Sequence, residues 1–329
     1  MKHLTIVVPN GDNNLSSIVG AYKIFSRANQ YRQEQTGQPL FTIQLAGLSE
    51  EVGFHDGLFS VRPHVRLADV KKTDLIILPS LNHNFMKAIA ENGELVTWVT
   101  QQYRNGAEIA SVCTGAFLLA SAGLLEGMTC STHWSVASEF KKMFPGIDLQ
   151  TDKLITDENG IYTNGGAYSF LNLILYLVEK YFDRPTAIFC SKVFQVEMDR
   201  HSQSVFTIFS GQKQHGDEMV QQAQTYIESR MQEKISVEEL CSVFSTGRRN
   251  FDRRFIKATG NTPGEYLQRV RIESAKRSLE TTRKTVNEVM YEVGYADVKA
   301  FREVFRRITG MSPLEYRRRY NKDGEIRRR

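Results

Sequence analysis

The sequence predicts a doubly wound parallel α/β sheet followed by an all-α region built from two helix-turn-helix units. Two observations carry this. Over residues 1–185, short β-rich runs alternate with stretches of helical periodicity, and over the last hundred residues "TGNTPGEYLQR" (from Thr259) returns as "TGMSPLEYRRR" (from Thr309), 50 positions later. A third observation divides the chain by charge. Residues 218–329 hold 24 Lys and Arg against 16 Asp and Glu, whereas residues 1–217 hold 18 against 21. A near-neutral front and a basic rear fit a sensing or catalytic domain joined to one that meets a polyanion.

The bulk numbers narrow the class. At 329 residues the chain has room for two or three domains, and 41% hydrophobic with 24% charged residues is ordinary for a globular protein. The apolar runs are too short to span a bilayer, and "MKHLTIVVPNG" reads as a first strand, not a secretory leader, so no membrane role is expected. Cys113, Cys130, Cys190 and Cys241 show neither C-x-x-C spacing nor close pairing. Reduced thiols, no metal, no cofactor and a cytoplasmic setting are the expectation.

Strands are expected at 4–8, 41–46, 74–79 and 108–113, and helices at 15–33, 83–104, 114–123 and 168–181. Continuous Val/Ile/Leu strands separated by helices describe a parallel, flavodoxin-like sheet covered on both faces. Asn159-Gly160 within 154–166 signals a hairpin. Chemistry in such sheets gathers at the carboxyl ends of the strands, where Ser111-Val112-Cys113-Thr114-Gly115 has the small-x-nucleophile-x-small form of an elbow.

The stretch "ASVCTGAFLLASAGLLEGMTCSTHW" (110–134) resembles the PfpI-like, class I glutamine amidotransferase-like superfamily. In hydrolytic members a histidine directly follows the elbow cysteine; Thr114 stands there in this chain. Related members carry a glutamate near the end of the first strand, where residues 9–20 offer only Asp12 among Asn, Ser and Gly. A thiolate needs a base and the base needs an orienting group; His133 is the one base available, and no orienting carboxylate is evident. No catalytic role is therefore expected, and Cys113, Thr114, His133 and Asp12 become candidates for lining a ligand pocket. The competing readings are a cysteine-dependent amidohydrolase or protease-like enzyme using Cys113 with His133, or a redox switch at Cys113.

Each rear unit reads as helix, turn, helix. "SVEELCSVF", the turn Ser245-Thr246-Gly247 and "RRNFDRRFIKAT" form the first; "VNEVMYEV" and a second helix up to Gly310 form the other, with one extra residue near Gly294. Phe251, Phe255 and Ala258 share the inner face of the first second-position helix, and Phe301, Val304, Phe305 and Ile308 that of its copy. Between the units, 264–282 is a helix with Leu267, Val270, Ala275 and Leu279 on its apolar side.

"PGEYLQRVRIESAKRSL" and "VNEVMYEVGYADVKAFREVFRRITGMSPLEYRRR" resemble the AraC/XylS family of transcriptional regulators. The resemblance implies one domain whose two recognition helices enter successive major-groove segments of double-stranded DNA, ~34 Å apart. By position, Arg249, Asp252, Arg253, Lys299, Arg302 and Glu303 are expected at base edges, and Arg248, Arg254, Arg306 and Arg307 at phosphates.

The expected organisation is a PfpI-like sensor domain at 1–200, a linker at 201–217, an AraC-type domain at 218–320 and a basic tail at 321–329. A front domain of this kind joined to an AraC-type domain resembles a known regulator architecture. The resemblance implies a bacterial, nucleoid-associated activator working with RNA polymerase, a homodimer, and an unidentified small-molecule effector.

Overall fold

The computed structural model describes residues 1–82, 84–198, 202–213 and 215–321. The tail expected over 321–329 lies outside the described residues except for Asn321. That residue is buried, its amide donating to the Leu279 and Thr282 carbonyls at 2.8 Å each. The chain forms two units, Met1–Gln203 and Ser204–Arg329.

In the front unit, β1 (Lys2–Val8), α1 (Leu15–Thr36), β2 (Phe41–Gly47), β3 (Val52–Phe54), β4 (Phe59–Val61), β5 (Val65–Arg66) and β6 (Leu75–Leu78) come first. Then follow α2 (Phe85–Glu91), α3 (Gly93–Arg104), β7 (Glu108–Ser111), α4 (Ala116–Ser121), β8 (Thr129–Cys130), α5 (Ala137–Met143) and β9 (Asp148–Leu149). The hairpin β10 (Ile155–Glu158) and β11 (Ile161–Asn164), with α6 (Phe170–Tyr181) and α7 (Arg184–Phe194), completes it. The seven-stranded sheet runs β10-β11-β7-β6-β1-β2-β5, parallel except for the edge strand β10.

Its strands read as unbroken apolar runs because both faces are covered. Leu4, Ile6 and Val8 join a core beneath α1, α6 and α7, while Val7 faces the core beneath α3 and α4. Ile77 and Ile76 divide between the same two cores, the period-two alternation of a strand. The expected hairpin turn is present, with Asn159 and Gly160 at φ 51° and 75°.

Three departures have local causes. The helix expected over 83–104 breaks at Asn92, whose buried amide donates to Ala88 and Asn10 carbonyls and accepts the Asn10 N–H. The last expected strand stops at Ser111 because Cys113 takes φ 53°, which no strand residue adopts. The hairpin β3–β4, the pair β8–β9 and α5 were not anticipated; each is short and lacks a clear period.

The rear unit contains α8 (Glu218–Ser229), α9 (Val237–Val243), α10 (Arg248–Thr259), α11 (Pro263–Thr281), α12 (Val286–Glu292), α13 (Val298–Thr309) and α14 (Pro313–Tyr320). The 50-residue repeat is structural. Thr262 and Ser312 close capping boxes with Glu265 and Glu315, and Gly260 and Gly310 end the preceding helices in the left-handed conformation. Phe255 meets Tyr266 edge-on at 5.4 Å, and Phe305 meets Tyr316 edge-on at 5.5 Å. Each unit thus has its own aromatic core, and α11 serves both. Tyr266, Leu267 and Val270 face the first core, whereas Ile272, Ala275 and Leu279 face the second, so its apolar side is split where the sequence implied one stripe.

Of the segment expected to be a linker, 201–217, the described residues 202–213 and 215–217 divide between the two units. Gln203 is buried in the front unit, Val205 packs on the second rear core and Phe209 on the first. Its Gln/Ser/Gly/His composition concealed this, because three side chains do the anchoring.

Candidate functional site

Two places collect the predicted residues. In the front unit they lie where the strand order reverses, beyond the carboxyl ends of β1, β6 and β7. The loops after β1 and β6 are stitched together there: Asn14 N–H donates to Ser80 O at 2.7 Å, Asn82 N–H to Asp12 O at 3.0 Å, and Asn13 pairs with Leu81. The elbow after β7 sits against them. Gly115 is required, since a Cβ would come within 2.8 Å of Pro79 O. The Thr114 hydroxyl donates to Leu81 O at 2.6 Å, leaving the Ser80 hydroxyl to donate to Thr114 Oγ1 at 2.8 Å.

Cys113 has the backbone of a nucleophile elbow, with φ 53° in a region most side chains avoid. Its chemistry is otherwise. It is 4% exposed, and burial pushes the thiol above its ordinary range against the smaller opposing influence of the neighbouring Ser80, Thr114 and His133 backbone. The His133 ring does not serve it: Nδ1 lies 2.7 Å from Ser135 Oγ and accepts the Ser135 N–H at 3.2 Å. Burial also lowers the imidazole's proton affinity. Asp12 is exposed on the β1 loop. The elbow therefore brings together Cys113, Thr114 and the His133 backbone, while the His133 ring turns to Ser135. The sequence reading missed Ser80 and also Asn13, whose Oδ1 is buried without a hydrogen-bond partner. Both belong to loops that meet only in the fold.

In the rear unit, α10 and α13 occupy the second position of each helix-turn-helix. Inward go Phe251 and Phe255 on α10, Phe301 and Phe305 on α13. Outward on α13 stand Lys299, Arg302, Glu303 and Arg306, all exposed and, among the described residues, without an ion-pair partner. Arg307 is exposed and donates to Gln268 on α11. On α10, Arg249 and Arg253 are exposed, the latter donating to Asn250 Oδ1 at 2.9 Å. Arg248 reaches Glu238 and, at 3.8 Å, Asp252.

Arg254 departs from expectation. Its guanidinium donates to both Asp217 oxygens, at 3.0 and 2.7 Å, and so fastens α10 to the N-cap of α8. This ion pair engages the guanidinium, whose side chain is 40% exposed, within the rear unit. The repeat held the signal, because Val304, already placed inward, is its counterpart 50 residues on. By the same register Lys257 matches Arg307, so it is the phosphate candidate the sequence reading overlooked.

The turns differ by one residue. In the first, Ser245 takes φ 46° and Gly247 caps α10 with no side-chain hydrogen bond. In the second, Gly294 takes φ 82° and the added residue brings Asp297 to the N-cap of α13, where it accepts the Ala300 N–H at 2.6 Å.

Comparison with known proteins agrees with both halves. Residues 19–180 match the DJ-1/PfpI family and residues 240–319 match a helix-turn-helix domain. The HTH-type transcriptional regulator GbdR of Pseudomonas aeruginosa is 26% identical over 307 residues, covering 92% of this chain and 81% of that relative. A crystal structure assigned to the transcriptional regulators of Vibrio parahaemolyticus matches with TM-score 0.53 and 24% identity, over 58% of this chain and 98% of that one. Drosophila melanogaster DJ-1beta matches with TM-score 0.50 and 19% identity, over 60% and 98%. The solved structures speak to the fold of the front unit. With the duplicated helix-turn-helix and the match along 81% of GbdR, the chain joins an N-terminal DJ-1/PfpI domain to an AraC-type helix-turn-helix domain, the make-up of a DNA-binding transcriptional regulator.

Proposed function

We propose that this regulator reads a specific duplex sequence through α10 and α13 and that its front crevice binds a small metabolite without turning it over. The observation that carries the first half is the repeated exposed basic face: Arg249 and Arg253 on α10, Lys299 and Arg302 on α13. Arginine reads guanine bidentately, and Asp252 or Glu303 can accept from cytosine N4. Arg248, Arg306, Arg307 and Lys257 take phosphate in this reading, and Arg254 is a structural strut. Measured by fluorescence anisotropy, Arg253→Ala should cost about 1–3 kcal/mol at the operator and relax base preference, whereas Arg306→Ala should weaken every duplex and flatten the salt slope. Equal effects of both on operator and random DNA overturn this division of roles.

The second half rests on the buried, proton-retaining thiol and the occupied His133 ring, which leave the elbow without an activated nucleophile. The orphaned Asn13 Oδ1 and the Ser80–Thr114 pair supply an acceptor and a hydroxyl for a polar effector. The rival reading, a cysteine hydrolase with a DNA-binding tail, draws on the elbow backbone alone. Cys113→Ala separates the two: regulation of a reporter should survive, and loss of a measurable turnover with that substitution would establish the enzyme. We further assign the protein a cytoplasmic place on the nucleoid, activation through RNA polymerase, and a homodimeric state for which exposed Val19, Tyr22, Leu58 and Phe59 provide apolar surface.

A further inference from the structure

We infer that Gln203 is a latch through which the elbow loop governs the second recognition helix; the inference rests on the regulator reading above. Gln203 is fully buried, and its amide lies in a slot between residues 131–134 and 165–166 of the front unit. Its Nε2 donates to Thr132 O at 2.9 Å and lies 3.4 Å from Ser131 Oγ, while Oε1 accepts the Trp134 N–H at 3.3 Å. Its backbone N–H donates to Asp152 O at 3.1 Å. The slot is shaped for it, because a Cβ on Gly165 would overlap the amide. The loop it grips is the one that touches the elbow: Thr132 Oγ1 donates to Cys113 O at 2.9 Å, and the His133 backbone N–H points at the thiol.

The residues that follow are held just as firmly by the rear unit. The turn Ser204–Phe206 packs on α13, with Ser204 Cβ 4.0 Å from where a Cβ on Gly310 would stand, and Arg319 of α14 lies over the Phe206 ring at 5.6 Å. Lys276, itself 4% exposed, donates to Thr207 O at 2.5 Å and pairs with Glu273 at 2.8 Å; Glu273 in turn accepts the Phe209 N–H at 3.2 Å. The Tyr266 hydroxyl and the Gln224 amide close on Gly211 O. Residues 204–211 therefore form a strap along α11 that touches both aromatic cores and the end of α13. A displacement of the elbow loop that withdraws the carbonyl of Thr132 or the N–H of Trp134 releases Gln203, and with it the near end of the strap. An effector favouring one state of this latch shifts the population of the other.

The test uses the full-length chain and two variants, Gln203→Ala, which removes the amide, and Gly165→Ala, which fills the slot. Hydrogen exchange read by mass spectrometry should speed about tenfold at 204–211 in both, with 265–280 unchanged in rate. Footprinting on a chromosomal fragment bound by the parent protein should show protection weakened at the half-site read by α13 and kept at that read by α10. Unchanged exchange at 204–211 in Gln203→Ala, or equal loss at both half-sites, overturns the latch. Should the parent protein protect no fragment, the DNA reading fails while the exchange measurement still decides the latch.

Discussion

At the scale of the residue, Cys113 shows how backbone and chemistry part company. The elbow strain survives, with φ 53° and a glycine two positions on that lets α4 close against β6. A reactive thiol needs exposure and a positive neighbourhood, and here burial raises the proton affinity instead. Iodoacetamide at pH 8 should therefore modify the half-buried Cys241 before Cys113 in the native protein, as peptide mapping would show. Labelling of Cys113 first contradicts this account and revives the redox reading. What the sequence revealed here was the elbow; what it hid was the protonation state, which is set by burial of the sulfur where Ser80, Thr114 and the His133 backbone meet around it. The same blindness affected Arg254, whose role follows from a carboxylate 37 positions away.

At the scale of the element, the rear helices were legible because their ends are written in local chemistry. Ser236, Thr262, Thr285 and Ser312 each cap a helix, and Gly260 and Gly310 end two. The break between α2 and α3 was not legible, since Asn92 is explained only by Asn10 on another loop. Nor was the strap, where Val205 and Phe209 are isolated hydrophobics among polar neighbours. The one-residue difference between the turns yields an unequal pair of caps. Asp297→Ala should remove about 1 kcal/mol by freeing the N-terminal N–H groups of α13. Gly247→Ser should add a few tenths, because its backbone is extended and a Cβ meets nothing within 4 Å. Chemical denaturation followed by circular dichroism measures both, and a stabilised Asp297→Ala would show that the turn is not under capping control.

At the scale of the whole molecule, the two units differ in how they depend on protons. In the rear unit several carboxyls are held below their ordinary range: Asp217 by Arg254, Glu265 and Glu288 by the backbone N–H groups of their capping boxes, Glu315 by the Ser312 hydroxyl, and Glu292 by Lys284. In the front unit only Glu51 and Asp183 are shifted in that direction among the described residues. A carboxyl whose folded pKa lies below its unfolded value contributes stability that is complete above the unfolded pKa and is lost as pH falls through the folded one. Each of these groups is partly solvated, so the individual effects are modest, but they act on one unit and in one direction. Between pH 6 and pH 3 the rear unit should therefore lose protection from hydrogen exchange earlier than the front, beginning near the α10–α8 strut and the N-termini of α11, α12 and α14. Substituting Arg254 by Gln should lower protection at α8 already at neutral pH and make its fall towards acid shallower, since Asp217 then returns towards its ordinary affinity for the proton and contributes less stability for acid to remove. Exchange mapped across the pH range on the intact chain decides the matter: a front unit that opens first, or an Arg254→Gln profile identical to the parent at α8, would mean that these ion pairs and caps do not set the acid limit of the DNA-binding half.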